Sequence, residues 1–126
     1  MADYDIVQIE DDPNCFKYVE KRANEAGLTY VNFSALDELI AALPETSARF
    51  WVTDGRFPKT KGDIIENNAA KSVEAIRGHY PDARIALHSA GSFAQADARD
   101  LGIEFMGKDR YTAEALVKAI KTSLGE

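Results

Sequence analysis

Apolar residues follow two rhythms along this chain. Short runs at Ile6 to Ile9, Leu28 to Phe33, Phe50 to Thr53, Arg84 to His88 and Ile103 to Gly107 read as buried strands. Between them the spacing changes to three and four. Phe16, Val19, Ala23 and Ala26 predict a first helix, opened by Asp12 as N-cap with Pro13 in the first turn and stopped at Gly27. Ser34 is placed to cap a second helix with Leu36, Leu39, Ile40 and Leu43 on its inner face, closed by Pro44. A loop from Asp54 to Lys61 carries Pro58. A third helix is predicted from about Gly62 to Tyr80, with Ile65, Ala69, Val73 and Ile76 inward. A short fourth covers Phe93 to Leu101, and a fifth buries Ala113, Leu116, Val117, Ile120 and Leu124.

Five βα units predict an α/β fold, a doubly wound five-stranded parallel sheet with five helices on its two faces. Units of this kind commonly take the strand order 2-1-3-4-5, which makes strands 1 and 3 neighbours where the order reverses. Ligands of such sheets sit outside the carboxyl ends of the strands. Neither repeat nor linker interrupts residues 1–126, so one domain is expected.

Composition narrows the function. A net charge of -6 argues against a general binder of nucleic-acid backbone, which needs Lys and Arg for phosphate. The single cysteine, Cys15, excludes an internal disulfide and a Cys-rich zinc site. With no membrane-length apolar run and no basic, apolar leader at the N-terminus, the expected location is cytoplasmic.

The strand ends carry the candidate chemistry. Asp54 closes the third apolar run and precedes Gly55; Glu10, Asp11 and Asp12 follow the first strand. Asp12 serves the helix cap, but Glu10, Asp11 and Asp54 converge if strands 1 and 3 are adjacent. Crowded carboxylates repel unless a cation intervenes, and an oxygen-only set suits Mg²⁺, with Mn²⁺ as a substitute. Lys108 after strand 5 adds a positive charge, and Ser89 after strand 4 a hydroxyl. A carboxylate, a metal and a lysine aimed at one point suit phosphoryl transfer, with Asp54 able to form an aspartyl phosphate. His79, His88, Cys15 and Trp51 are expected to be structural or surface residues, since no paired nucleophile accompanies them.

Together, Glu10-Asp11, Asp54, Pro58 with Gly62, Ser89 and Lys108, in this order across about Tyr4 to Leu124, resemble the receiver domain of two-component response regulators. The resemblance implies a flavodoxin-like sheet and a stand-alone receiver taking a phosphoryl group on Asp54 from a histidine kinase or phosphotransfer protein. Glu10, Asp11, Asp54 and the backbone carbonyl of Arg56 would hold the metal, and Lys108 and Ser89 would contact the phosphoryl group. Ser89 and Phe105 would form the switch, although the strand pattern by itself makes Phe105 plain core. Arg56 and Gly91 would tune phosphoryl lifetime. Output would pass to a downstream protein through the face of helix 4, strand 5 and helix 5, without nucleic acid or membrane.

The chain departs from the family's usual pattern in two places. Asp109 stands where Pro usually follows the lysine, so that loop is expected to take another path, and the stretch from Gly62 to Arg84 is longer than usual. Asp109 favours the alternative of a pseudo-receiver, an interaction module that takes no phosphate. A turnover phosphohydrolase is disfavoured, because such enzymes resemble D-x-D at the nucleophile and Arg56 fills the second position.

Overall fold

The computed structural model describes residues 2–126. Its main sheet is parallel, in the order β2-β1-β3-β6-β7, from β1 (Ala2–Ile9), β2 (Tyr30–Phe33), β3 (Thr46–Thr53), β6 (Ile85–Leu87) and β7 (Glu104–Phe105). Counted within this sheet alone, the order is the expected 2-1-3-4-5. Helices α1 (Pro13–Glu25), α2 (Leu36–Ala42), α3 (Ala69–His79), α4 (Ala94–Leu101) and α5 (Ala113–Ser123) complete it.

Strand alternation divides the core. Ile6, Phe50, Val52, Ala86 and Met106 meet α1 and α5, whereas Val7, Ile9, Trp51 and Ile85 meet α2 and α3. Local signals act as read. The Asp12 side chain accepts the Asn14 N–H at 2.9 Å, Pro13 opens α1, and Gly27 takes a φ of 77° just beyond it.

The third helix is a correction. It starts at Ala69, and the residues before it form an antiparallel hairpin of β4 (Arg56–Pro58) and β5 (Ile65–Asn67). Ile65, expected inward, is half exposed, and Ile64 beside it is more exposed still. The hairpin is held at its base. Phe57 is fully buried in the α2–α3 core, and the buried Asn68 donates its side-chain N–H to the Phe57 carbonyl at 2.8 Å and its backbone N–H to the Gly55 carbonyl at 3.1 Å. An anchored aromatic and a satisfied buried amide outweigh the weak helical preference of Gly62 to Asn67.

Ser34 is a smaller correction. The N-cap of α2 is Ala35, without a side-chain bond, and the Glu38 carboxylate instead accepts the Ser34 N–H at 3.2 Å. Ile40 lies half exposed on the outer side of that helix.

Candidate functional site

β1 and β3 pair over seven positions, from Ala2 with Thr46 to Ile9 with Thr53, which fixes their ends side by side. The Asp54 N–H continues the ladder to the Ile9 carbonyl at 2.9 Å, so Asp54 and Glu10 leave adjacent strands at one level. On the far side of β3, Thr53 shares a hydrogen bond with Ser72 of α3 at 2.9 Å. The backbone of Asp54 is therefore held from both flanks.

Glu10, Asp11 and Asp54 each offer an oxygen within 4.8 Å of the others. Glu10 is 1% exposed and Asp54 9%, an expensive placement for two carboxylates unless something neutralises them. The Lys108 ammonium does part of this. Its Nζ donates to Glu10 Oε1 at 2.6 Å and stands 3.6 Å from Asp54 Oδ2. Because Glu10 takes the close contact, Asp54 is left under-compensated. Its carboxyl is pushed up to about 7, first by burial and then by the charge and hydrogen bond of Glu10, against the pull of Lys108 and the Gly55 N–H. Burial alone would lower the Lys108 pKa, but its bond to Glu10 and the charges of Asp54 and Glu10 outweigh that and raise it.

The set fits a hard divalent cation. Three oxygen donors converge, the local charge is negative, and the ammonium that shields it is half-buried. Mg²⁺ or Mn²⁺ satisfies that chemistry; among the described residues the cluster is made of carboxylates alone.

The other predicted residues lie around this centre. Ser89, 8% exposed, follows β6; its Oγ accepts the Gly91 N–H at 3.3 Å and would lie 3.2 Å from a Cβ placed on Gly55. Gly55 thus has no side chain because Ser89 occupies that space. Arg56 opens β4, is exposed, and lines a cleft of about 240 Å³ together with Ser89 and Gly91. Phe105 is half-buried against the cluster of Leu87, Ala94 and Ala98, beneath α4. A Cβ on Gly107 would come within 2.8 Å of the Phe105 ring and of the Asp109 carboxylate, so a larger residue there would have to displace those side chains.

Asp109 does not spoil the centre. Its carboxylate folds back over Gly107, and among the described residues Lys108 pairs with Glu10 and Asp54 only. The described peptide bonds are all trans. Asp12 stays outside as the cap, and Cys15 is no nucleophile, its thiol pushed up to about 12 by burial and by the nearby Glu10.

Sequence reasoning underrated His88. It is 3% exposed, and its Nε2–H donates to the Tyr111 carbonyl at 2.8 Å while Nδ1 is buried without a partner. A polar residue closing an apolar strand was the available signal.

No family model and no curated protein matches the sequence. Solved structures do. A CheY-like response regulator receiver domain protein from Methanospirillum hungatei superposes with a TM-score of 0.76 at 13% identity, over 99% of this chain and 94% of the other. The receiver domain of the stress response regulator RcsB from Escherichia coli gives 0.75 at 20% identity, over 98% and 93%. A de novo designed Rossmann 2x3 protein gives 0.65 at 17% identity, over 96% and 91%, so such likeness speaks of fold and leaves the chemistry to the residues. Many of the similar structures are receiver domains covering nearly the whole chain, and the flavodoxin-like architecture of this protein is that of the response-regulator receiver domain.

Proposed function

We propose that this protein is a phosphoacceptor of a two-component system, taking a phosphoryl group on Asp54 from a histidine kinase or phosphotransfer protein with Mg²⁺ bound. One observation carries the reading: Glu10, Asp11 and Asp54 converge within 4.8 Å with the Lys108 ammonium across from them. An attacking carboxylate oxygen needs its charge held but not quenched, and the incoming phosphoryl oxygens need positive charge on the far side.

Asp54 is the nucleophile in this scheme. Its Oδ1 is oriented by the Gly55 N–H at 2.7 Å, leaving Oδ2 on the side of Lys108 for attack on phosphorus. Glu10, Asp11, Asp54 and the Arg56 carbonyl would hold the metal, which supplies charge neutralisation for the transferring group. Lys108 and the Ser89 hydroxyl would receive the phosphoryl oxygens. Ser89 and Phe105 flank α4, so their rearrangement would alter the face of α4, β7 and α5 that a partner protein reads, while Arg56 and Gly91 line the cleft through which water reaches the acyl phosphate. The protein then acts as a signalling partner and not as a turnover enzyme.

The test is incubation with Mg²⁺ and acetyl phosphate followed by intact mass. One base-labile phosphoryl adduct is expected on the wild type and none on Asp54→Asn. No adduct with any donor, acetyl phosphate or kinase, would leave the pseudo-receiver; continuous phosphate release from small esters would indicate a hydrolase instead.

A further inference from the structure

We propose that His88 is a positioning residue for Lys108, tying the loop that carries the lysine to the end of β6 through the bond from its Nε2–H to the Tyr111 carbonyl. The argument starts from strand alternation. Ala86 faces α1 and α5 while Leu87 faces α4, so His88 returns to the α1–α5 side. Met106 also lies on that side, and Lys108, two residues on, reaches Glu10 and Asp54 from it.

The loop has few other ties. β7 pairs with β6 through two residue pairs, and beyond them the Met106 N–H reaches the Leu87 carbonyl at 2.9 Å and the Lys108 N–H the Ser89 carbonyl at 3.1 Å. The bonds from Arg110 and Tyr111 N–H to the Gly107 carbonyl close the turn on itself and do not fix it to the sheet. His88 adds a side-chain link past Lys108, 2.8 Å long and partly buried, beside the packing of Tyr111 against the α1–α5 core.

The chemistry of the ring agrees. A carbonyl only accepts, so Nε2 carries the proton and Nδ1 keeps a lone pair that no protein atom among the described residues satisfies. Burial holds the imidazole pKa down, outweighing the bond to Tyr111, so the ring stays neutral. A core filler would avoid the cost of that orphaned atom. The bond to the lysine loop is what the ring provides in return. Lys108 spans 2.6 Å to Glu10 and 3.6 Å to Asp54, and a drift of about 1 Å is enough to slow a reaction by roughly tenfold to a hundredfold.

The proposal rests on Asp54 being the phosphoacceptor, so its test has one arm that needs phosphate and one that does not. In the first, phosphorylation by acetyl phosphate with Mg²⁺ is timed for the wild type, His88→Met, His88→Gln, Lys108→Ala and the double variant His88→Met with Lys108→Ala. His88→Met should slow the wild type about tenfold, yet cost under about twofold when Lys108 is already absent. His88→Gln, whose amide can still donate to Tyr111, should stay within about threefold of the wild type. An equal loss in both backgrounds, or a Gln variant as slow as Met, overturns the proposal. In the second arm, amide exchange should show Lys108 losing about tenfold in protection in His88→Met while β1 amides keep theirs. Unchanged protection at Lys108 also overturns it. Should the wild type take no phosphoryl group while exchange behaves as stated, the error lies in the phosphoacceptor reading and not in the tie.

Discussion

Asp54→Asn should stabilise this protein, and increasingly so as pH rises from about 4 to about 7. Asparagine keeps the shape of the side chain and an oxygen for the Gly55 N–H, but removes the buried charge. The Asp54 carboxyl is held at about 7 in the folded chain against its ordinary 3.8, so the folded state binds its proton more tightly than the unfolded state. Stability from this group is complete below about pH 4, falls as pH rises, and levels off above the folded value. Each tenfold change in proton affinity is about 1.4 kcal/mol, which sets a ceiling of about 4 kcal/mol on the loss by pH 8. Roughly 2–4 kcal/mol is expected. The assay is urea unfolding in EDTA, followed by the fluorescence of Trp51, at pH 5 and pH 8. Asn should gain most of its advantage between those values, and saturating Mg²⁺ should shrink it by neutralising the wild-type carboxylate. A difference between Asn and wild type that is the same at both pH values would refute the electrostatic account; one indifferent to Mg²⁺ would refute the metal site.

Lys108→Ala should bind Mn²⁺ more tightly, by about threefold to tenfold, because the metal no longer displaces an ammonium from Glu10; paramagnetic titration measures this, and weaker binding would contradict it. Phe57→Ala should cost about 3–5 kcal/mol in urea unfolding, the penalty of emptying a fully buried aromatic site. Asn68→Ala should cost about 1–3 kcal/mol by leaving the buried Phe57 carbonyl short of its donor. Ile64→Ser, at the exposed end of the same hairpin, should stay within about 0.5 kcal/mol of wild type, and a larger loss would mean that the side chain is packed.

The strand ends were legible because they rest on local signals that tertiary packing reinforces. Apolar runs ending in Glu10, Asp54, Ser89 and Lys108 each stop where the sheet stops, and the order of a five-unit α/β fold brings them together. The hairpin was not legible for the opposite reason. Ile65, Ala69, Val73 and Ile76 recur at helical spacing, and the turn between β4 and β5 has no Asn-Gly or Asp-Gly pair to announce it. What decides it is Phe57, an aromatic that must reach the α2–α3 core, and that demand is invisible without knowing what lies beneath. The lower ends of β1 and β3 were missed as well. Thr46 to Arg49 are too polar to read as a strand, yet Thr46 to Ala48 pair with Ala2 to Tyr4 because the parallel register continues past the apolar run. Likewise, the sequence could not show that Asp109, the residue favouring the pseudo-receiver alternative, folds back over Gly107 and leaves Lys108 to Glu10 and Asp54.

The sheet is lopsided. β1 and β3 share seven paired positions, whereas β6 and β7 share two. The half bearing Glu10 and Asp54 is therefore stiff, and the half bearing Ser89, Phe105 and Lys108 is soft. Local opening follows pairing density, so amides of β7 and the turn after it should exchange through fluctuations far smaller than global unfolding, while those of β1 await the whole molecule. Asp54 stands on the seam between the two. On the proposed reading, a group bonded to Asp54 would push from the heavily paired side of the sheet toward the lightly paired one, so that the strand lengths themselves would set the direction of mechanical response.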